Sequence, residues 1–93
     1  MFVGLRKYKV RRGAKAKILQ SVNNFLPIVE SIPGFQYYHC YDLDEYILAV
    51  SAFTRQESVE ESHRKALDWV RNHAGNLVEG RPIVDTCEVL ISA

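Results

Sequence analysis

The feature that most constrains this chain is where its hydrophobic period changes. Phe2 to Val10 alternates polar and apolar side chains, the two-residue period of a strand, and ends before an Arg12–Gly13 turn. From Ala14 to about Ser31 the apolar positions Ile18, Val22, Phe25, Val29 and Ile32 step by four and three, which is one face of a helix. Pro27 lies inside that helix, lacks a backbone donor, and is expected to kink or split it. Pro33–Gly34 stops it. Phe35 to Asp42 then reads as an aromatic-rich strand, Asp42-Leu43-Asp44-Glu45 as a turn, and Tyr46 to Thr54 as the second arm of a hairpin. Thr54 and Glu57 fit a T-x-x-E capping box that opens a second helix. That helix carries Val59, His63, Ala66 and Val70 on one stripe, with Trp69 and His73 beside it. Ala74 to Pro82, rich in Gly and Asn, reads as a loop, and Val84 to Ser92 as the closing strand.

Strand, helix, hairpin, helix, strand is the βαββαβ order of ferredoxin-like α+β folds, with a four-stranded antiparallel sheet. Right-handed crossovers put the first and third strands in the middle and the second and fourth at the edges. The 93 residues allow one domain, residues 1–93. A chain this short buries roughly 60–65 % of its unfolded surface, so it gains from a partner.

The sheet gives a reason to expect one. Two helices cover one face only, yet Tyr46, Leu48, Val50 and Ala52 point one way while Ile47, Ala49 and Phe53 point the other. The second strand sets Phe35, Tyr37 and Tyr41 against Tyr38 and Cys40, and the last sets Val84 and Leu90 against Val89 and Ile91. Apolar side chains on both faces need two covers, and a second copy of the same sheet is the economical one. The expected assembly is a homodimer through the sheet face, an α+β barrel. Cys40 and Cys87 fall on opposite edges of the sheet, about 14 Å apart at ~4.8 Å per strand, beyond the reach of an intrachain disulfide.

Charge and composition exclude several classes. A formal net charge of +1 argues against strong non-specific binding to nucleic acid. The apolar runs are strand-length, far below the roughly 18 residues of a membrane span, and Met1 to Arg12 is no secretory signal, so a cytoplasmic protein with reduced thiols is expected. The cations Arg6, Lys7, Lys9, Arg11, Arg12, Lys15 and Lys17 all precede the first acid, Glu30, and read chiefly as solvated surface. No zinc spacing, Ser-His-Asp order, phosphate-binding Gly loop or paired-carboxylate signature is present. The third strand, Tyr46 to Phe53, lacks the aromatic pattern with which RNA-binding domains of this topology stack bases.

Three stretches carry a family resemblance. Ile32-Pro33-Gly34-Phe35-Gln36-Tyr37-Tyr38 resembles the helix-to-strand junction of the antibiotic-biosynthesis-monooxygenase-like proteins. Ser62-His63-Arg64-Lys65-Ala66-Leu67-Asp68-Trp69 resembles their second-helix pattern, and Arg12-Gly13-Ala14-Lys15 their entry into the first helix. The resemblance implies a dimeric α+β barrel. It implies either a cofactor-free monooxygenase acting on flat aromatic or quinol-like compounds, a haem-degrading enzyme, or a protein of another role on the same fold. The haem-degrading branch has a second-helix Trp with a His nearby, as Trp69 and His73 are here, but also a first-strand Asn. The first strand here is Phe2-Val3-Gly4-Leu5-Arg6-Lys7-Tyr8, which speaks against haem degradation.

Four residues are candidates for a site. His63, on the inward stripe of the second helix, is the candidate proton-transfer group, with a helix histidine satisfied by backbone or carboxylate as its plain counterpart. Trp69 is a candidate stacking surface and equally a core aromatic. Arg6 and Tyr8 share one face of a central strand. A buried Arg6 is costly unless paired, so it either faces solvent or anchors an anion. The expected function is an oxidoreductase, a cofactor-free monooxygenase-like protein for a small flat aromatic or quinol-type compound. The alternative is a non-enzymatic dimer that binds a small ligand or serves in assembly.

Overall fold

The computed structural model describes Met1 to Ala93. Its elements are β1 (Phe2–Val10), α1 (Lys15–Glu30), β2 (Phe35–Leu43), β3 (Tyr46–Phe53), α2 (Gln56–His73) and β4 (Val78–Glu88). The sheet is antiparallel throughout in the order β2-β3-β1-β4, so the first and third strands are central as the crossover rule requires. This is the ferredoxin-like α+β fold.

Alternation along β1 decides which side chains meet the helices. Gly4, Arg6, Tyr8 and Val10 are buried on the helix side, while Val3, Leu5 and Lys7 lie half-buried on the other. The helix side holds two apolar clusters. Phe25, Val29, Ile32, Phe53, Val59 and Ala66 form one. Val10, Ala14, Ile18 and Ile47 form the second. Gly4 lets α2 come close: a Cβ there would stand 2.9 Å from His63 Cε1 and 3.0 Å from Val59 Cγ1.

Four local expectations are corrected. Pro27 does not split α1, which runs unbroken from Lys15 to Glu30. Proline inside a helix costs about 3 kcal/mol. Burying Phe25, Val29 and Ile32, each at most 3 % exposed, returns about 1.5–3 kcal/mol apiece. The capping box does not form: α2 starts at Gln56, its cap residue is Arg55, and no side chain caps it. Thr54 is occupied elsewhere, its N–H donating to Gly34 O at 2.9 Å. Ser58 Oγ ties the first turn of α2 to Pro33 O instead (2.6 Å).

The third correction concerns β4, which starts at Val78 rather than Val84 and ends at Glu88 rather than Ser92. Gly80 (φ +67°) and Pro82 resembled loop punctuation, but they sit at a register shift on an edge strand, where a missing donor and a left-handed residue are both tolerated. At the other end Val89 N–H still reaches Met1 O (2.9 Å). Beyond it β1 has no further partner residues, and Leu90 and Ile91 are exposed. Fourth, a register shift between Phe35 and Tyr37 turns Phe35 to the helix side, opposite Phe53, with ring centroids 5.9 Å apart. Val84 pairs with Arg6 and so leans to the helix side at the sheet edge.

The face away from the helices carries Leu5, Tyr37, Leu48, Val50, Ala52 and Ile83. Within one chain Ala52 is already covered, but Ile83 is 61 % exposed. Cys40 and Cys87 are free thiols on opposite edge strands.

Candidate functional site

Arg6 is fully buried at the middle of the central strand β1. Its Nη1 donates to His63 Nδ1 at 2.9 Å. A guanidinium has no acceptor and does not lose its proton, so Nδ1 must be the bare nitrogen and the imidazole proton must sit on Nε2. From there the chain of donors runs one way: His63 Nε2 to Thr86 Oγ1 (3.1 Å), and the Thr86 hydroxyl to Glu60 Oε1 (3.0 Å). Burial first, and the Arg6 charge second, hold the His63 pKa below the ordinary 6.5, so the ring is neutral at pH 7.

The other edge of the guanidinium is different. Arg6 Nε and Nη2, and the Tyr8 hydroxyl, are buried without a well-formed hydrogen bond, although the Tyr8 and Tyr38 hydroxyls lie close enough to the guanidinium to interact with it. Arg6 and Tyr8 are among the residues around a cavity that draws on both core clusters, with Ile18, Phe25, Tyr38 and Trp69. Twelve of its fourteen lining residues are hydrophobic, so Arg6 supplies a permanent charge to an apolar space. The cavity has a volume of about 40 Å³, so a ring enters it only with side-chain movement.

Burial, opposed by the Arg6 charge, pushes the Tyr8 phenol up to about 12 and raises Tyr38 in the same way. Both stay protonated near neutrality and are donors or acceptors, not bases. Trp69 lines the same space and is pinned by its indole N–H, which donates to Ser21 Oγ (3.0 Å) and Ser21 O (3.2 Å). Its ring lies 5.9 Å from Phe25 and 3.9 Å from His73, centroid to centroid.

The structure therefore brings Arg6, Tyr8 and Trp69 to one cavity, and places His63 behind Arg6 rather than on the wall. His63 and Trp69 are six residues apart, which at about 100° per residue points them roughly 120° away from each other. Arg6 is neither solvent-facing nor ion-paired. Sequence reasoning missed Thr86 and Glu60. Glu60 stands three residues before His63 on the same helix face, a visible signal. Thr86 depends on the β1–β4 register, which sets it opposite Gly4, and had none.

The neutral imidazole has a consequence for stability. The unfolded chain takes up a proton at His63 as pH falls through about 6.5, while the folded chain does not until its lower pKa is reached. Stability is therefore fully present above about 6.5 and declines below it, by at most about 1.4 kcal/mol per pH unit from this group. Denaturation of the wild type and of His63→Gln between pH 5 and 7.5 should show a slope in the wild type that the variant lacks.

No protein-family profile and no curated protein matches the sequence. Solved structures do match. A protein of unknown function from Nitrosomonas europaea superposes with a TM-score of 0.82 at 14 % identity, over 99 % of this chain and 91 % of its own. A second protein from that organism, provisionally named an antibiotic biosynthesis monooxygenase, gives 0.80 at 11 % identity, over 98 % of this chain and 100 % of its own. A point mutant of MhuD, solved with two manganese protoporphyrin IX bound per active site, gives 0.78 at 18 % identity, over 100 % of this chain and 98 % of its own. The chain thus has the fold of the antibiotic-biosynthesis-monooxygenase-like proteins. At such identities the likeness speaks for the fold alone.

Proposed function

We propose that this chain is a small cofactor-independent monooxygenase-like enzyme that holds a flat phenolic or quinol-type compound in the cavity between the helices and the sheet. The observation that carries the reading is the permanently charged guanidinium of Arg6, buried without a counter-charge among the otherwise apolar residues around the cavity. A cation in low dielectric favours the ionised form of a bound phenol, the electron-rich species that reacts with oxygen directly. The balance closes without another reductant: a phenol and one molecule of oxygen give a quinone and water. Arg6 would hold the oxyanion, Tyr8 would donate to it, and Trp69 would flank the ring. His63, neutral and bonded at both nitrogens, is a positioning residue for Arg6.

The reading is supported by the fold, which is shared with proteins named as monooxygenases. Oxygen uptake with a panel of quinols tests it. The wild type should exceed the uncatalysed rate, and Arg6→Gln should lose about 10²-fold or more of the excess. A quinol that binds without any oxygen uptake would favour the second reading, a non-enzymatic ligand-binding dimer. One observation speaks for that alternative: the cavity interior is narrow and no residue on its wall titrates near neutrality as a base.

The same proposal includes a homodimer through the face away from the helices. Leu48 lies there on central strand β3, opposite Lys7 of β1 and Tyr41 of β2. Leu48→Arg sets a second cation beside Lys7 on the face that would be shared. Light scattering after gel filtration should show a dimer for the wild type and a folded monomer for the variant. A wild-type monomer at tens of micromolar would end the dimer reading. No helix is long and apolar enough to cross a membrane.

A further inference from the structure

The way Arg6 is held says what kind of group it awaits. We infer that the cavity is a receptor for a small aromatic carboxylate, gripped side-on by Arg6 with Tyr8 as third donor. This rests on the same cavity as the proposed oxidation but not on the oxidation itself.

Nη1 is taken by His63, so the nitrogens left over are Nε and Nη2. Those two are neighbours on one edge of the planar guanidinium, and their N–H bonds point the same way. That edge is the fork which meets both oxygens of a carboxylate in parallel hydrogen bonds. A phenolate offers one oxygen, which accepts from both nitrogens only through bent bonds, whereas a carboxylate meets each with a straight one. The Tyr8 hydroxyl is the third buried donor at the same wall. A carboxylate has about four lone-pair sites and accepts from all three groups.

Charge points the same way. Arg6 is the sole charged residue lining the cavity, and its hydrogen-bond partner is a neutral imidazole. The nearest acid on that network, Glu60, is two hydrogen bonds further on, beyond Thr86. A buried cation in this setting is balanced by one negative charge from a ligand. Ile18, Phe25 and Trp69 offer the remainder of the ligand apolar, aromatic surroundings and no polar partner apart from the hydroxyl groups, so a multiply charged or strongly hydrated anion is a poor match. Rigidity completes the case. The guanidinium grows from a central strand and is fixed in its plane by the bond to His63, so the fork is formed before any ligand arrives.

The test is calorimetric titration of the purified chain with benzoate, benzamide, phenol, acetate and inorganic phosphate. Benzoate should bind about tenfold or more tightly than each of the other four. Benzamide keeps the shape without the charge, acetate the charge without the ring, and phosphate the charge with strong hydration. Arg6→Lys keeps the cation and removes the fork, and should lose most of the benzoate affinity. Tyr8→Phe should lose a few-fold and keep the fold. Equal binding of benzoate and benzamide, phosphate as good as benzoate, or unchanged benzoate binding in Arg6→Lys would each overturn the inference, as would no benzoate binding at all. The wild-type ligand series stands even where Arg6→Lys fails to fold. Benzoate binding with no oxygen uptake from any quinol would sink the oxidation and leave the receptor. Oxygen uptake with no benzoate binding would do the reverse.

Discussion

Phe25→Ala should cost about 3–5 kcal/mol of folding stability, the range for deleting a buried aromatic ring. Phe25 is 3 % exposed and joins three parts of the molecule. It belongs to the larger core cluster, it walls the cavity, and it stands between Trp69 (5.9 Å) and Tyr38 (6.4 Å). Its removal merges the cavity with the space the ring filled, and Trp69 cannot easily swing in because its indole is tied to Ser21. In a domain of this length each kcal/mol moves the midpoint by about 4–8 °C, so thermal melting should fall by well over 10 °C. A loss below about 1 kcal/mol in chemical denaturation would mean that the cavity collapses freely, and that it is not a rigid site.

His63→Ala should be the second large effect, about 2–4 kcal/mol. The imidazole makes the one well-formed hydrogen bond to Arg6. Without it a fully buried cation keeps only its weaker contacts with the Tyr8 and Tyr38 hydroxyls, which costs more than a neutral hydrogen bond normally contributes. The partner substitution behaves oppositely. Arg6→Met replaces the cation by an apolar chain of similar length and should be close to neutral, or stabilising, since no carboxylate is abandoned. In Arg6→Met the loss of His63 should then matter less, giving a coupling of about 1–3 kcal/mol in a double-mutant cycle. Additivity of the two substitutions would show that the buried pair is not coupled.

The opposite responses of Arg6 and His63 define the trade the molecule makes. An apolar residue at position 6 would suit the core better. Keeping an arginine there, with one edge bonded and the other without a well-formed hydrogen bond, costs stability and is explained by a ligand that completes the shell. The site thus violates the ordinary rule for buried polar groups at the place where function is expected.

How much of this was legible depends on whether a signal was local. The period changes in Phe2–Val10, Ala14–Ser31 and Tyr46–Thr54 gave the element order, and the order gave the sheet, because few topologies satisfy the crossover rule. Alternation put Arg6 and Tyr8 on one face of the first strand. Signals that compete locally misled. Thr54 and Glu57 have capping-box spacing, but Thr54 serves the Gly34 turn. Gly80 and Pro82 resemble a loop, but an edge strand accepts them. The partnership of Arg6 with His63, fifty-seven residues away, was beyond any pattern. It follows from how closely α2 crosses β1 at Gly4, a distance set by packing in three dimensions.

The most direct measurement is a crystal structure of the chain grown with an excess of a simple hydroquinone. The account predicts the ring inside the cavity against Trp69 and Phe25, with a hydroxyl oxygen within hydrogen-bonding distance of Arg6 Nε or Nη2, and His63 still bonded to Nη1. A hydroquinone on the outer sheet face, or a closed cavity in which Arg6 Nε and Nη2 are bonded to the chain's own groups, would contradict it.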